Sequence, residues 1–268
     1  MFEPLIEECK LRNYSQKTIE IYLRYNQEFL TFTHKKPQEI TREDIRSYLL
    51  HCIEKQQSSS TINLAHNALN FYYCTILGRK FQDISFQKRE QKVRSIPTKE
   101  EIQKMIYVTS NLKHKILIGL LYASGIRRSE AIKIQIADID FDRKLLLIRQ
   151  GKGAKYRYTI LSGIIIHQIK EYFKNTIQHN SYLFSTPNGH ITARTVEAII
   201  HNAKHNAKIT KHLSPHSLRH SFATHLMENG TKIEYIQQML GHKDIRTTRI
   251  YQHISTSHLE NIKSPHDI

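Results

Sequence analysis

Four short stretches of this chain carry side chains that could act on a phosphodiester. In "LSPHSLRHSFATHLMENG", Ser214 suits a helix N-cap, Pro215 the first helical position and Gly230 the helix end. On that helix His216, Arg219, His220 and Ala223 share one face, while Leu218, Phe222 and Leu226 form an apolar stripe on another. The stripe should bind the helix to a core and leave a cationic triplet looking outward. His216 also falls in the first turn, where free backbone N–H groups favour an anion. In "ASGIRRSEAIKI", arginine offers a planar donor fork suited to phosphate oxygens, and Glu130 could orient it. The same residues also read as a capped helix start with a structural ion pair. "GKGAK" sets Lys152 between Gly151 and Gly153 on what reads as a hairpin tip, from which a mobile lysine could reach a leaving oxygen.

The fourth stretch, "GHKDIRTTRIYQHIS", puts His242 and Tyr251 nine positions apart among basic and hydroxyl residues. Tyr251 is either a ring packed under a basic surface or a nucleophile. A phenol of pKa about 10 is ionised in roughly one molecule in a thousand at pH 7. Nucleophilic use therefore needs neighbouring positive charge or a base. Other chemistries find less support. His216 and His220, like His201 and His205, stand at metal-ligand spacing, but no HExxH pattern or third ligand accompanies them, and in a chain with 17 histidines simple surface histidines are a stronger competitor than a metal site. No GxxxxGK[ST] loop occurs, so ATP or GTP use finds no support, and no cofactor is expected. The shared logic is attack by an oxygen nucleophile on a phosphodiester, without an evident metal.

The elements that must position these residues are mostly helical. The 268 residues are 39% hydrophobic, enough for real cores. Ser15 caps a helix carrying Ile19, Tyr22, Leu23, Asn26 and Leu30. Thr41 and Asp44 form a short capping box, and a third helix through "INLAHNALNFYYCTIL" stops at Gly78. Residues 86–96 read as a basic linker, either following a phosphate backbone or serving as a solvated tether. Thr98 and Glu101 then cap a new helix, and a buried helix ends near Gly125. Strand-like "RKLLLIRQ" and "YRYTIL" flank the hairpin tip, and helices follow over 163–179, 192–206, 215–229 and 231–241. The expected domains are 1–85, helical, and 97–268, helical with a small β-sheet or hairpin.

The 40 Lys+Arg against 24 Asp+Glu give +16, a field that attracts nucleic acid. Cys9, Cys52 and Cys74 are odd in number and lack a CxxC pair, which suggests thiols in a reducing compartment. No apolar run approaches a membrane span and no signal peptide is evident, so a cytoplasmic location is expected.

The order Arg127, Lys152, His216-x-x-Arg219, His242, Tyr251 resembles the tyrosine recombinase (lambda-integrase-like) family, particularly its Xer branch. "SGIRRSE", "GKGAK", "HSLRHSFATHLMENG" and "IQQMLGHKDIRTTRIYQH" resemble its motifs in order, and the resemblance covers almost the whole chain. It implies a two-domain, C-shaped clamp on double-stranded DNA, with a helical core-binding domain and an α+β catalytic domain. It also implies site-specific recombination through a 3′-phosphotyrosyl intermediate and a Holliday junction. Tyr251 would be the nucleophile, Arg127 and Arg219 with His242 would stabilise the transition state, His216 would act as base or donor, and Lys152 would protonate the leaving oxygen. Glu130 would support Arg127, and His220 would support its helix. Four protomers, identical or of two kinds, would assemble on DNA through C-terminal segments, residues 255–268 being the candidate here, although these also read as a loose tail. Dimer resolution in chromosome partition, or integration and excision of a mobile element, both fit. A second recombinase or a translocase could be required. The alternatives are topoisomerase-like relaxation, a catalytically silent DNA-binding regulator and a metal-dependent nuclease.

Overall fold

The computed structural model describes residues 1–79, 96–149, 156–177, 179–241 and 262–267. The chain divides into two compact units, Met1–Val93 and Arg94–Ile268. Of the expected linker, only Ile96 lies among the described residues.

The first unit is helical: α1 (Glu3–Leu11), α2 (Gln16–Thr33), α3 (Arg42–Glu54) and α4 (Ser59–Asn70). The side chains of Ser15 and Thr41 accept the N–H groups of Thr18 and Asp44, as their spacing predicts. The third predicted helix continues past α4 as a π-helical stretch, Phe71–Ile76, before Gly78 at φ +66°. Ile19, Phe29, Tyr48, Leu69 and Tyr73 meet in its core. Asn26 joins α2 to α4 by donating to the Ala68 carbonyl at 3.2 Å.

The second unit begins with α5 (Lys99–Val108), closed by the Thr98–Glu101 capping box, and α6 (Leu112–Ser124), whose residues 116–124 are all buried. After the short α7 (Arg128–Ala131) come β1 (Ile139–Asp140), β2 (Leu145–Ile148) and β3 (Arg157–Ile160), an antiparallel sheet with Leu145 opposite Ile160. The hairpin tip joining β2 to β3, which carries Lys152, lies outside the described residues. Then follow α8 (Gly163–Lys174), the two-residue strands β4 (Ser185–Thr186) and β5 (Gly189–His190), α9 (Ala193–Asn206), α10 (Pro215–Glu228) and α11 (Ile233–Leu240). Helix α6 is the axis of the core, with α5, α8, α9 and α10 against it.

Residues 262–267 lie against this same unit. Ser264 donates to the Ala123 carbonyl at 3.1 Å, and Asp267 accepts from the Gly163 N–H at 3.1 Å and from the Ser162 hydroxyl, so its carboxylate caps α8.

Candidate active site

Gly125 ends α6 in the left-handed region, φ +59°, and turns the chain toward Arg127. Glu130, three residues on, accepts the Arg127 backbone N–H at 2.7 Å and its Nη1 at 2.9 Å. The capped helix start and the oriented arginine, set out as alternatives in the sequence, are therefore one arrangement. Arg128 turns the other way and pairs with Glu197 on α9.

Glu130 has a second partner that the sequence did not single out. Arg157, the first residue of β3, donates Nη1 and Nη2 to the two carboxylate oxygens at 3.0 and 2.7 Å. Strand alternation puts Arg157 on the same face as the fully buried Thr159. Nothing in "YRYTIL" says which face is covered, so spacing offers no signal for it.

Arg219 departs from expectation. The stripe Leu218, Phe222 and Leu226 is fully buried as predicted, but Arg219 is only 3% exposed and points inward, not outward. Its Nη1 donates to the Gly125 carbonyl and its Nη2 to the Leu240 carbonyl, both at 2.6 Å. Helix α10 packs against α5, α6, α9 and α11, so the covered arc extends well beyond the apolar stripe. His216 is exposed and His220 half-buried, their ring centroids 4.5 Å apart.

These groups converge on one helix end. The last carbonyls of α11 have no intrahelical donors and carry the negative end of its dipole. Met239 accepts Arg157 Nε at 2.7 Å, Leu240 accepts Arg219, and Gly241 accepts Arg127 Nη2 at 3.3 Å. Three guanidiniums thus share one helix end, and two of them, Arg127 and Arg157, also bind the one carboxylate, leaving two formal positive charges in this cluster. Burial would raise the Glu130 pKa, but the hydrogen bonds and charge of Arg157, then the bonds from Arg127, pull it down to about 2. Burial, then the like charge of Arg127, lowers the Arg219 guanidinium to about 9, still cationic at pH 7; Glu130 opposes this shift and Arg157 adds to it. The Arg127 side chain, 27% exposed, opens onto a pocket also lined by Lys133, Tyr182 and Arg149, the last paired with Asp138. The cluster is suited to receiving an anion.

Lys152, His242 and Tyr251 lie outside the described residues. Among the described residues, no three His, Cys, Asp or Glu side chains are grouped to hold a metal ion, and no helix is long and apolar enough to cross a membrane.

Comparison with known proteins defines the class. Residues 96–258 match the phage integrase family and residues 1–83 the phage integrase N-terminal SAM-like domain. The chain belongs to the phage integrase family. It is 31% identical to tyrosine recombinase XerA of Pyrococcus horikoshii, over 93% of this chain and 87% of that protein. It is 30% identical to tyrosine recombinase XerC of Bacillus subtilis, over 95% and 91%. A crystal structure of XerA recombinase superposes with a TM-score of 0.54 at 30% identity, covering 96% of this chain and 94% of that one. A lambda integrase dimer bound to a COC′ core site reaches 0.73 at 18% identity, covering 95% and 99%, which speaks for the fold. Within the family the chain is a tyrosine recombinase of Xer type, an enzyme of site-specific recombination that cuts and rejoins DNA.

Proposed function

We propose that this recombinase cuts DNA by attack of the Tyr251 hydroxyl on the scissile phosphorus. The Tyr251 Oη–phosphorus bond forms as the phosphorus–O5′ bond breaks, leaving a 3′-phosphotyrosyl link and a free 5′-hydroxyl. The phenolic proton passes to His216, and Lys152 protonates the leaving O5′. Arg127 and Arg219, with His242, stabilise charge on the non-bridging oxygens, while Glu130 orients Arg127 and His220 supports α10. Fixed donors of this kind supply several kcal/mol to a transition state. The bond energy is stored in the covalent link, so no nucleotide is consumed. Attack by the partner strand's 5′-hydroxyl then exchanges strands through a Holliday junction.

The observation that carries this reading is the convergence of Arg127 and Arg219 on the carbonyls that end α11, beside the single carboxylate of Glu130. It leaves the cluster short of negative charge. We further propose a cytoplasmic enzyme acting as a tetramer on two duplexes. In it, the segment ending at Asp267 leaves its own α6–α8 surface for that of a neighbour.

The test is covalent trapping on nicked duplexes carrying candidate sites, in EDTA, with wild type and Tyr251→Phe compared on denaturing gels. The expected result is a protein–DNA adduct with wild type and none with the variant. An adduct that survives the substitution would overturn the role of Tyr251. Loss of cleavage in EDTA would point to a metal-dependent nuclease.

A further inference from the structure

Arg157 is the least exposed partner of the shared carboxylate, with 9% of its side chain accessible, and it uses three donors at once. Two clasp Glu130 and the third reaches the Met239 carbonyl at the end of α11. It begins the strand that follows the Lys152 hairpin, and Met239 lies three residues before His242. One guanidinium therefore joins α7, the start of β3 and the end of α11, and Lys152 and His242 lie a few residues along the sequence from the last two. The packing is close: a Cβ on Gly241 would lie 2.9 Å from Arg157 Cδ and 3.1 Å from its Nε. A lysine ammonium has no planar fork and cannot reproduce the three bonds.

We infer that Arg157 is a positioning residue for strand cleavage, holding the Glu130 carboxylate that orients Arg127 and tying it to the helix end that leads into His242. This rests on the roles proposed for Arg127, His242 and Tyr251. Among the described residues, the charged groups facing Glu130 are Arg127 from its own segment, Arg157 from β3 and Arg219 from α10. With Arg157 in place Glu130 stays ionised across the working pH range. Without it, burial is opposed mainly by Arg127, and the carboxyl takes up a proton at higher pH.

The measurement is single-turnover cleavage of a nicked duplex, its site first selected by the wild-type protein from randomised DNA. It is run between about pH 5.5 and 8.5 alongside duplex affinity and a thermal melt. Arg157→Ala is expected to slow cleavage on the order of 100-fold, because a small misplacement of a reacting group is costly, with a much smaller change in affinity. Its rate should also fall on the acid side, where the wild-type rate owes no such fall to Glu130. Arg157→Lys should restore the charge and remove that acid fall, yet stay slower than wild type. A full rate with Arg157→Ala overturns the inference, as does a loss that only follows affinity with an unchanged pH profile. If Arg157→Ala does not fold, Arg157→Lys decides, and a wild-type rate there overturns the inference. If Tyr251→Phe cleaves the same duplex, the proposed roles fail and this inference with them.

Discussion

At the scale of residues, Glu130 faces two opposing influences. Burial favours its neutral form, while two arginines hold it ionised down to about pH 2, against 4.5 for an ordinary glutamate. A carboxyl depressed in the fold contributes stability that is complete above its unfolded value and is lost as pH falls through the folded one. Removing one partner of a buried pair costs about 3–5 kcal/mol. Glu130→Gln should therefore be destabilised by roughly that amount at pH 7, and its deficit should narrow between about pH 4.5 and 2, measured by urea denaturation. A deficit independent of pH would mean that Glu130 is not held as an ion. Arg127, Glu130 and Arg219 were legible in the sequence because they stand in recognisable motifs. Arg157 was not, since an arginine in a strand reads equally well on a solvated face.

At the scale of elements, the end of α11 works as an acceptor plate for three arginines arriving from α7, β3 and α10. Gly125 lets these elements close up. Its φ of +59° suits glycine, and a Cβ there would lie 2.3 Å from Phe222 Cδ1 and 2.9 Å from Leu240 Cδ2. A left-handed non-glycine residue costs about 1–2 kcal/mol and overpacking about 1–3. Gly125→Ala should lose roughly 2–5 kcal/mol in urea denaturation. It should also slow cleavage, because Arg219 bonds to the Gly125 carbonyl. Unchanged stability would show that α10 and α11 can shift freely. Caps and periods made the helices themselves readable, and Ser15, Thr41, Thr98 and Ser214 all cap as their spacing predicts. Spacing did not reveal how much of α10 is covered, and so put Arg219 on the outside.

At the scale of the whole molecule, charge is unevenly divided. Met1–Val93 carries 14 Lys+Arg against 11 Asp+Glu, a net +3. Arg94–Ile268 holds the remaining 26 against 13, a net +13. DNA affinity falls with salt by a slope of about −0.9 per neutralised phosphate. A fragment of residues 97–268 should bind duplex more weakly than the full chain yet retain most of its salt slope, measured by anisotropy titration at several salt concentrations. A slope cut by half or more would assign most phosphate contacts to the first unit. Each unit has its own buried core, which is why the fragment should fold.

The sequence by itself determined the two-part helical plan, the basic character and the motif residues, because caps, periodicity and charge are local properties of the chain. Tertiary structure alone decided that Arg219 is interior, that Arg128 belongs to Glu197 and that Arg157 shares Glu130. These outcomes depend on which faces other elements cover and which carbonyls a helix end leaves without donors. Both are set by packing between segments as far apart in the chain as residues 125, 157, 219 and 240.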